Sequence, residues 1–304
     1  MKKPKKCTLC EKKLKNPLVV SNNIYGDKKK SKAFYHCTYC DVRFMYPRLT
    51  LFQEKYFYKK EFESFMNKRS GKLSGWLSAK KHVANNKETF QRRYKYLNKH
   101  IFKKNLSILE IGCSSGFMLY PLRKKGHHCT GVEPSGFFTN FLDKNKIVNF
   151  DSIEELNKKN LKFDLIIHFF VLEHITEPLI FLKKLLTLLK KNGKIIFEVP
   201  NVADPLHSIY RIKEFEKFYW SIAHPWYFSY QSLKFLLDKL NYKFEIKFDQ
   251  RYDLSNHLNW LLEGKPGGMK KYSHLFGKNL EKKYKDKMLK TKRCDTLIGI
   301  IKKN

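Results

Sequence analysis

Four cysteines fall in two close pairs near the start of the chain, Cys7-Thr-Leu-Cys10 and Cys37-Thr-Tyr-Cys40. A Cys-x-x-Cys pair on a tight turn presents two thiolates to one side, and two such knuckles can close a tetrahedron around Zn²⁺. Disulfides are the alternative, disfavoured in a reducing compartment. A Cys-x-x-Cys redox centre would stand beside a βαβ unit, and none begins here. A segment this short has little core of its own, so a metal would supply most of its folding energy. Cysteines in all four positions leave no open site for catalysis, which makes the expected zinc structural. His36 is a substitute ligand by position. Cys113, Cys129 and Cys294 are scattered and read as ordinary small residues.

A second constellation starts at Glu110-Ile-Gly112-Cys-Ser-Ser-Gly116-Phe117. Glycines here let the backbone turn sharply and approach a ligand, while the N-terminus of a following helix aims donors at it. The motif has little specificity alone. The next apolar run adds to it by ending in Gly131-Val-Glu133-Pro-Ser135. An acid at that strand tip, roughly 20 residues past the glycine loop, is placed to bind ribose hydroxyls. A dinucleotide enzyme would show Gly-x-Gly-x-x-Gly; here Glu110 precedes the first glycine and Phe117 holds the third position. Such a loop suits a ligand with a cationic amino-acid part better than a pyrophosphate.

The elements that would position these residues divide into three regions, 1–50, 51–104 and 105–304. After the knuckles comes an aromatic stretch, Phe44–Tyr58, and then a turn-prone patch around Ser70-Gly71 and Ser74-Gly75. The spacing of Phe90, Tyr94, Leu97 and Ile101 predicts a helix from about Lys87 to Phe102. From residue 105, short apolar runs alternate with amphipathic stretches. Strands are expected at Ser107–Ile111, His128–Glu133, Ile147–Phe150, Phe163–Phe169, Lys194–Val199, Phe244–Phe248 and Thr296–Ile301. Helices are expected at Phe117–Lys125, Gly136–Asn145, Ile153–Asn160, Ile180–Lys191 and Ser232–Leu240. That alternation implies an α/β fold, a mostly parallel sheet with helices on both faces.

The chain has 304 residues, 42% hydrophobic and 30% charged, enough for a sizeable core and unlike a disordered chain. No run approaches the roughly 20 apolar residues of a membrane span. The Lys-rich start lacks the apolar run of a signal peptide, so a cytoplasmic location is expected. The net charge of +34 invites a nucleic-acid reading. Yet only nine of the 62 basic residues are Arg, and the chain is rich in Asn, Ile, Phe and Tyr, which points to an AT-rich genome. Residues 1–50 and 265–304 each carry 13 basic and 3 acidic side chains, more than half of the excess.

Glu-x-Gly-x-x-x-Gly, Gly-Val-Glu-Pro-Ser, Phe163-Asp164-Leu-Ile-Ile-His-Phe-Phe-Val-Leu-Glu173-His174 and Asn192-Gly193-Lys-Ile-Ile-Phe-Glu198-Val-Pro200-Asn201 follow one another in order. Together they resemble a class I S-adenosylmethionine-dependent methyltransferase over about residues 105–304. The resemblance implies a Rossmann-like seven-stranded sheet with an antiparallel last strand. The paired knuckles ahead of it are similar to the N-terminal zinc-binding module of bacterial methyltransferases acting on sugars and surface polysaccharides. The resemblance further implies that Glu110, Gly112 and Gly116 line the methionine end of the cofactor and that Glu133 holds the ribose. Asp151 and Ser152 would lie beside adenine, and His168 near the sulfonium.

Methyl transfer needs an oriented nucleophile and, for many acceptors, a base beyond the carboxyl ends of the strands. His174 is one candidate, with a helix-entry role as its alternative. In quinone O-methyltransferases a metal is held by a Glu three residues before the Glu-His pair; that position is Phe170 here. His224, in Ala223-His224-Pro-Trp-Tyr-Phe228-Ser229, resembles the stretch where sugar C-methyltransferases carry their base. The Tyr and Glu those enzymes keep just upstream are Ser221 and Ala223 here. Substrate loops are expected at 201–230 and 250–292. In the second, Arg251 could clamp a phosphate or carboxylate, with His257 beside it. The expected function is methylation, at oxygen or carbon, of a small molecule or glycoconjugate, with nucleotide-linked sugars in view. An RNA methyltransferase with a zinc module and a non-catalytic zinc-ribbon binding protein are the rivals.

Overall fold

The computed structural model describes residues 3–70, 78–101 and 103–303. The N-terminal module is three short antiparallel strands, β1 (Leu18–Ser21), β2 (Ala33–His36) and β3 (Arg43–Tyr46). Its sheet gains a fourth strand from far along the chain, Trp226–Tyr227, which pairs antiparallel with β3. Phe34, Phe44 and Met45 are fully buried between this module and the rest. The module is therefore one edge of a shared core, with no solvent layer separating it from the remainder.

Helices α1 (Leu51–Tyr56) and α2 (Phe62–Ser70) follow, joined by a single π turn. Thr50 caps α1: its hydroxyl accepts from the Gln53 amide while the Gln53 side chain accepts from the Thr50 amide. The expected turns at Gly71, Ser74 and Gly75 lie outside the described residues. Next come α3 (Ala79–Asn85) and α4 (Lys87–Leu97), the latter running on into a short 3₁₀ turn.

The large sheet consists of β4 (Ser107–Ile111), β5 (His128–Val132), β6 (Val148–Phe150), β7 (Phe163–Phe169), β8 (Leu189–Pro200), β10 (Lys243–Asp249) and β11 (Thr296–Lys302), with Trp226–Tyr227 as β9 in the smaller N-terminal sheet. Their spatial order is β10-β11-β8-β7-β4-β5-β6. β11 runs antiparallel to both neighbours and the other pairings are parallel. This is the expected seven-stranded, mostly parallel sheet. Its order reverses at β4, so ligands gather beyond the carboxyl ends of β4 and β7. The crossovers carry α5 (Leu119–Lys124), α6 (Thr139–Lys144), α7 (Ile153–Asn157) and α8 (Pro178–Leu188). Short α9 (Pro205–Ser208) and α10 (Lys213–Tyr219) precede β9, and α11 (Tyr230–Asp238) follows it. One face of the sheet packs on α8, α11 and the N-terminal module; the other packs on α4 and α5.

Of the two segments expected as substrate loops, 201–230 holds short α9 and α10 among turns, and the second is largely helical. Residues 250–292 hold α12 (Leu254–Glu263) and α13 (Ser273–Lys290), the second bent at Gly277. Asp253 caps α12 by accepting from the Asn256 amide, so polar residues that read as loop are a helix start.

A buried charge cluster fixes α4 to the sheet. Alternation along β8 sends Ile195, Phe197 and Val199 to the α8 side and Glu198 to the α4 side. Arg92 grips Glu198 with two bonds of 2.7 and 3.0 Å, Arg93 Nε adds one of 2.9 Å, and Tyr96 Oη one of 2.7 Å. Arg92 also contacts Asp249. Burial alone would raise the Glu198 pKa, but the two guanidiniums hold it at about 2. Stability from this depressed carboxyl is present above its unfolded value, near 4.3, and lost as pH falls through about 2. Glu198→Ala would strand Arg93, and removing one partner of a buried pair costs about 3–5 kcal/mol. Urea unfolding of this variant at pH 7 should show a loss of that size; a loss below about 1 kcal/mol would deny the cluster its role.

Candidate functional site

The four N-terminal thiols converge. Cys7 Sγ lies 3.7 Å from Cys40 Sγ and Cys10 Sγ lies 3.6 Å from Cys37 Sγ, and all four sulfurs are within 4.8 Å of one another. A tetrahedron with Zn–S bonds of about 2.3 Å has edges of about 3.8 Å. Disulfide sulfurs would be about 2.05 Å apart, so these cysteines are free thiols. The second knuckle is the turn between β2 and β3: the Cys37 amide donates to Val42 O and the Asp41 amide to Cys37 O. His36 is held by Asp41 at 2.8 Å and is no part of the cluster.

At the sheet's switch point, the turn after β4 is built for a close approach. Gly112 and Gly116 both sit at φ +69°, and a Cβ on them would meet Val171 at 2.9 Å and Leu142 at 2.7 Å. Glu110 is buried with Oε2 unpaired, and burial first, then the nearby Glu133, raises its pKa while Arg93 opposes. An unpaired buried carboxyl oxygen in a glycine cradle fits the ammonium group of a bound amino acid. Glu133 accepts from the amides of Ser114 (2.8 Å) and Ser135 (3.1 Å), fixing it beside the loop. Helix α3 lies over this turn through His82 Nδ1, 2.7 Å from Ser115 Oγ. Ser152 is the N-cap of α7, accepting from the Glu155 amide, and Asp151 is exposed beside it.

His168 does not reach this cradle. Its ring stacks on Phe197 at 4.7 Å, edge-on to Phe181, fully buried with both nitrogens unpaired. Strand alternation is the reason: Leu165, Ile167 and Phe169 face α4 and α5, which turns His168 toward α8. Burial lowers its pKa to about 3, so it packs as a neutral aromatic ring.

His174 and His224, 50 positions apart, meet with ring centroids 4.6 Å apart. His174 ends a 3₁₀ turn whose preceding Val171 abuts Gly112. Its Nδ1 lies 2.6 Å from Ala223 O and 2.7 Å from Tyr58 Oη, which also donates to Ala223 O at 2.8 Å. The carbonyl can only accept, so the His174 proton is on Nδ1 and the lone pair on Nε2. His224 Nδ1 is buried without a partner. Burial lowers His174 to about 4 and His224 well below its ordinary value.

The residue that sequence reasoning passed over is Glu173. It is fully buried, both carboxyl oxygens lack partners, and burial lifts its pKa to about 8. Its ligand atom and those of His174 and His224 lie within 4.8 Å of one another. Two imidazoles and a carboxylate at that spread can share a proton or hold a divalent cation. The signal available was its position next to His174; its burial was not visible.

Arg251 and His257 are not part of this cluster. The Arg251 backbone amide and Nε are held by the buried Asp295, and its guanidinium lies 4.1 Å over Phe170. His257 Nδ1 lies 2.5 Å from Tyr284 Oη, which bonds Tyr210 Oη at 2.8 Å. The Arg251 side chain ties the end of β10 to the start of β11, and that of His257 ties α12 to α13. A surface cleft of about 310 Å³ lined by Tyr120, Arg123, His127 and His128 opens at the start of β5, the wrong end of the sheet for this chemistry.

The depressed histidines have a pH signature. Each binds protons in the unfolded chain below pH 6.5 but stays neutral when folded, so stability is lost as pH falls from about 6.5 toward 4. Imidazole ¹⁵N spectra of the folded protein should show His174 and His224 uncharged at pH 5.5. Charged rings at that pH would contradict the buried pair.

A family described as "Methyltransferase domain" matches residues 82–245, more than half of the chain. The chain is similar to the ubiquinone biosynthesis O-methyltransferase of Coxiella burnetii, 31% identical over 116 residues, 36% of this chain and 50% of the relative. It is similar to the tRNA U34 carboxymethyltransferase of Sulfurimonas denitrificans, 32% identical over 114 residues, 35% of this chain and 38% of the relative. The chain thus spans about half the length, or less, of these curated relatives. Among solved structures it is similar to a SAM-dependent methyltransferase from Archaeoglobus fulgidus, at 21% identity and TM-score 0.49, covering 80% of this chain and all of the other. No helix among the described residues is long and apolar enough to cross a membrane. With a family match that begins at His82 in α3 and runs through the glycine loop, β7 and the His174–His224 pair, this chain belongs to the methyltransferase-domain family.

Proposed function

We propose that the protein methylates a small molecule or glycoconjugate, at oxygen or carbon, using S-adenosylmethionine, and that its N-terminal four-cysteine cluster binds one structural zinc. The observation that carries this reading is the Glu173, His174 and His224 cluster, directly behind the residue that abuts Gly112. S-Adenosylmethionine supplies an electrophilic methyl group on a sulfonium. Glu110 offers its unpaired oxygen to the ammonium end, and Gly112 and Gly116 admit the chain of the ligand where a side chain would collide. Glu133 is the group for the ribose hydroxyls. His224 takes the acceptor's proton, and Glu173, once ionised, stabilises the resulting imidazolium, offsetting the low basicity that burial imposes. His174, its tautomer fixed by Ala223 O, holds the wall of the pocket.

An RNA acceptor is the second reading, favoured by the +34 charge. The intact cradle speaks for an enzyme over a non-catalytic binding protein. Calorimetry with S-adenosylmethionine should show Glu133→Ala binding weaker by about 1.5–3 kcal/mol. Homocysteine-forming turnover, screened over nucleotide sugars, should fall about 10²–10⁴-fold in His224→Ala with cofactor affinity nearly intact. Wild-type turnover in His224→Ala alongside loss in His174→Ala would exchange their roles. Turnover on RNA alone, falling steeply with salt, would move the protein to the second reading.

A further inference from the structure

Arginines 43, 48, 92, 93 and 251 each meet a carboxylate. Arg69, in the last turn of α2, meets none among the described residues. Its Nη2 donates to the Phe218 carbonyl at 2.9 Å, and its Cζ lies over the Phe218 ring, 4.3 Å from the centroid. Its Nε–H is sealed from water and has no acceptor. A guanidinium fixed by one carbonyl and one ring, with a donor edge unpaired, is a partly desolvated charge awaiting an anion. Its neighbours say where that anion would lie. Phe218 stands six residues before His224, and the ring of Tyr227, whose phenol favours the Arg69 charge as do those of Tyr25 and Tyr252, lies 5.5 Å from the His224 ring. Arg69 in turn adds to the burial that lowers the pKa of His174 and His224. Arg251, the arginine whose sequence context suggested an anion clamp, is occupied by Asp295.

We infer that Arg69 binds a phosphate or carboxylate group carried by the methyl acceptor, which makes the substrate class anionic. The inference rests on reading the Glu173, His174 and His224 cluster as the acceptor site. An arginine there neutralises the acceptor's charge and anchors it away from the reacting atom, leaving the hydroxyl or carbon to be positioned by the histidines. The Phe218 ring against it suits an acceptor with a flat or apolar body next to the anionic group.

The test titrates the full chain with phenyl phosphate, benzoate and phenol by calorimetry, each with and without saturating S-adenosylhomocysteine. At least one anion should bind saturably at one site, at least tenfold tighter than phenol, and the stronger of the two identifies phosphate or carboxylate. Arg69→Gln should reduce that anion to the level of phenol, while Lys68→Gln, an exposed neighbour on the same helix, should bind as wild type. Arg69→Lys keeps the charge but loses the fork, and should retain part of the affinity. Thermal unfolding of each variant separates lost binding from lost folding. Equal binding of phenol and both anions, or an Arg69→Gln variant that binds anions like wild type, would overturn the inference. Failure of S-adenosylhomocysteine to bind would instead sink the methyltransferase reading and leave the anion result to stand on its own.

Discussion

The pairing of Arg43 and Phe44 with Tyr227 and Trp226 joins the first 50 residues to the loop that carries His224. The Met45 amide donates to Pro225 O, one residue after that histidine. On its other side, the Tyr25 amide donates to Trp220 O and the Ile222 amide to Tyr25 O. The N-terminal module thus holds residues 220–227 at both ends by backbone bonds. β3 is itself set by the Cys37–Cys40 knuckle that turns β2 into it. A metal that orders this knuckle would position, through one short strand, the ring facing His174. Small as it is, the module works as a wall of the candidate site.

The opposite side of the site depends on a different device. Helix α4 is clamped to β8 by Glu198, and α3, which leads into it, rests on Ser115 of the glycine loop. Arg93 serves twice here, bonding Glu198 and lowering the Glu110 pKa that burial raises. The helices before β4 therefore close over the cradle, in keeping with a family match that starts at His82.

The strands of the large sheet were legible because each is a short apolar run bounded by turns, and the central ones are buried on both faces. Six of the seven match to within a residue at both ends; the exception is β8, which begins at Leu189 rather than Lys194. The N-terminal strands were not, since four residues show no period and their partner, Trp226–Tyr227, is a two-residue strand about 180 positions away. Residues 254–263 hid a helix because Ser255, Asn256, His257 and Asn259 are buried polar groups that read as loop. The place near the sulfonium that the resemblance implied for His168 leaves out the alternation of β7, which sends His168 to the face opposite Ile167 and Phe169. Glu173 was passed over because a carboxyl's burial is a property of the packed chain, not of its neighbours in sequence.

If the four-cysteine cluster fixes His224 through β3, loss of its metal must disturb that ring, which a comparison of wild type and Cys37→Ser for zinc content, S-adenosylmethionine affinity and the ¹⁵N resonances of the His224 imidazole would show. Wild type should carry one zinc per chain. Cys37→Ser should lose the zinc and show a shifted or broadened His224 signal, with cofactor affinity within about threefold, since the glycine cradle stands on other elements. A wild-type protein without stoichiometric metal, or a Cys37→Ser variant whose His224 signals are unmoved after the zinc is lost, would contradict it.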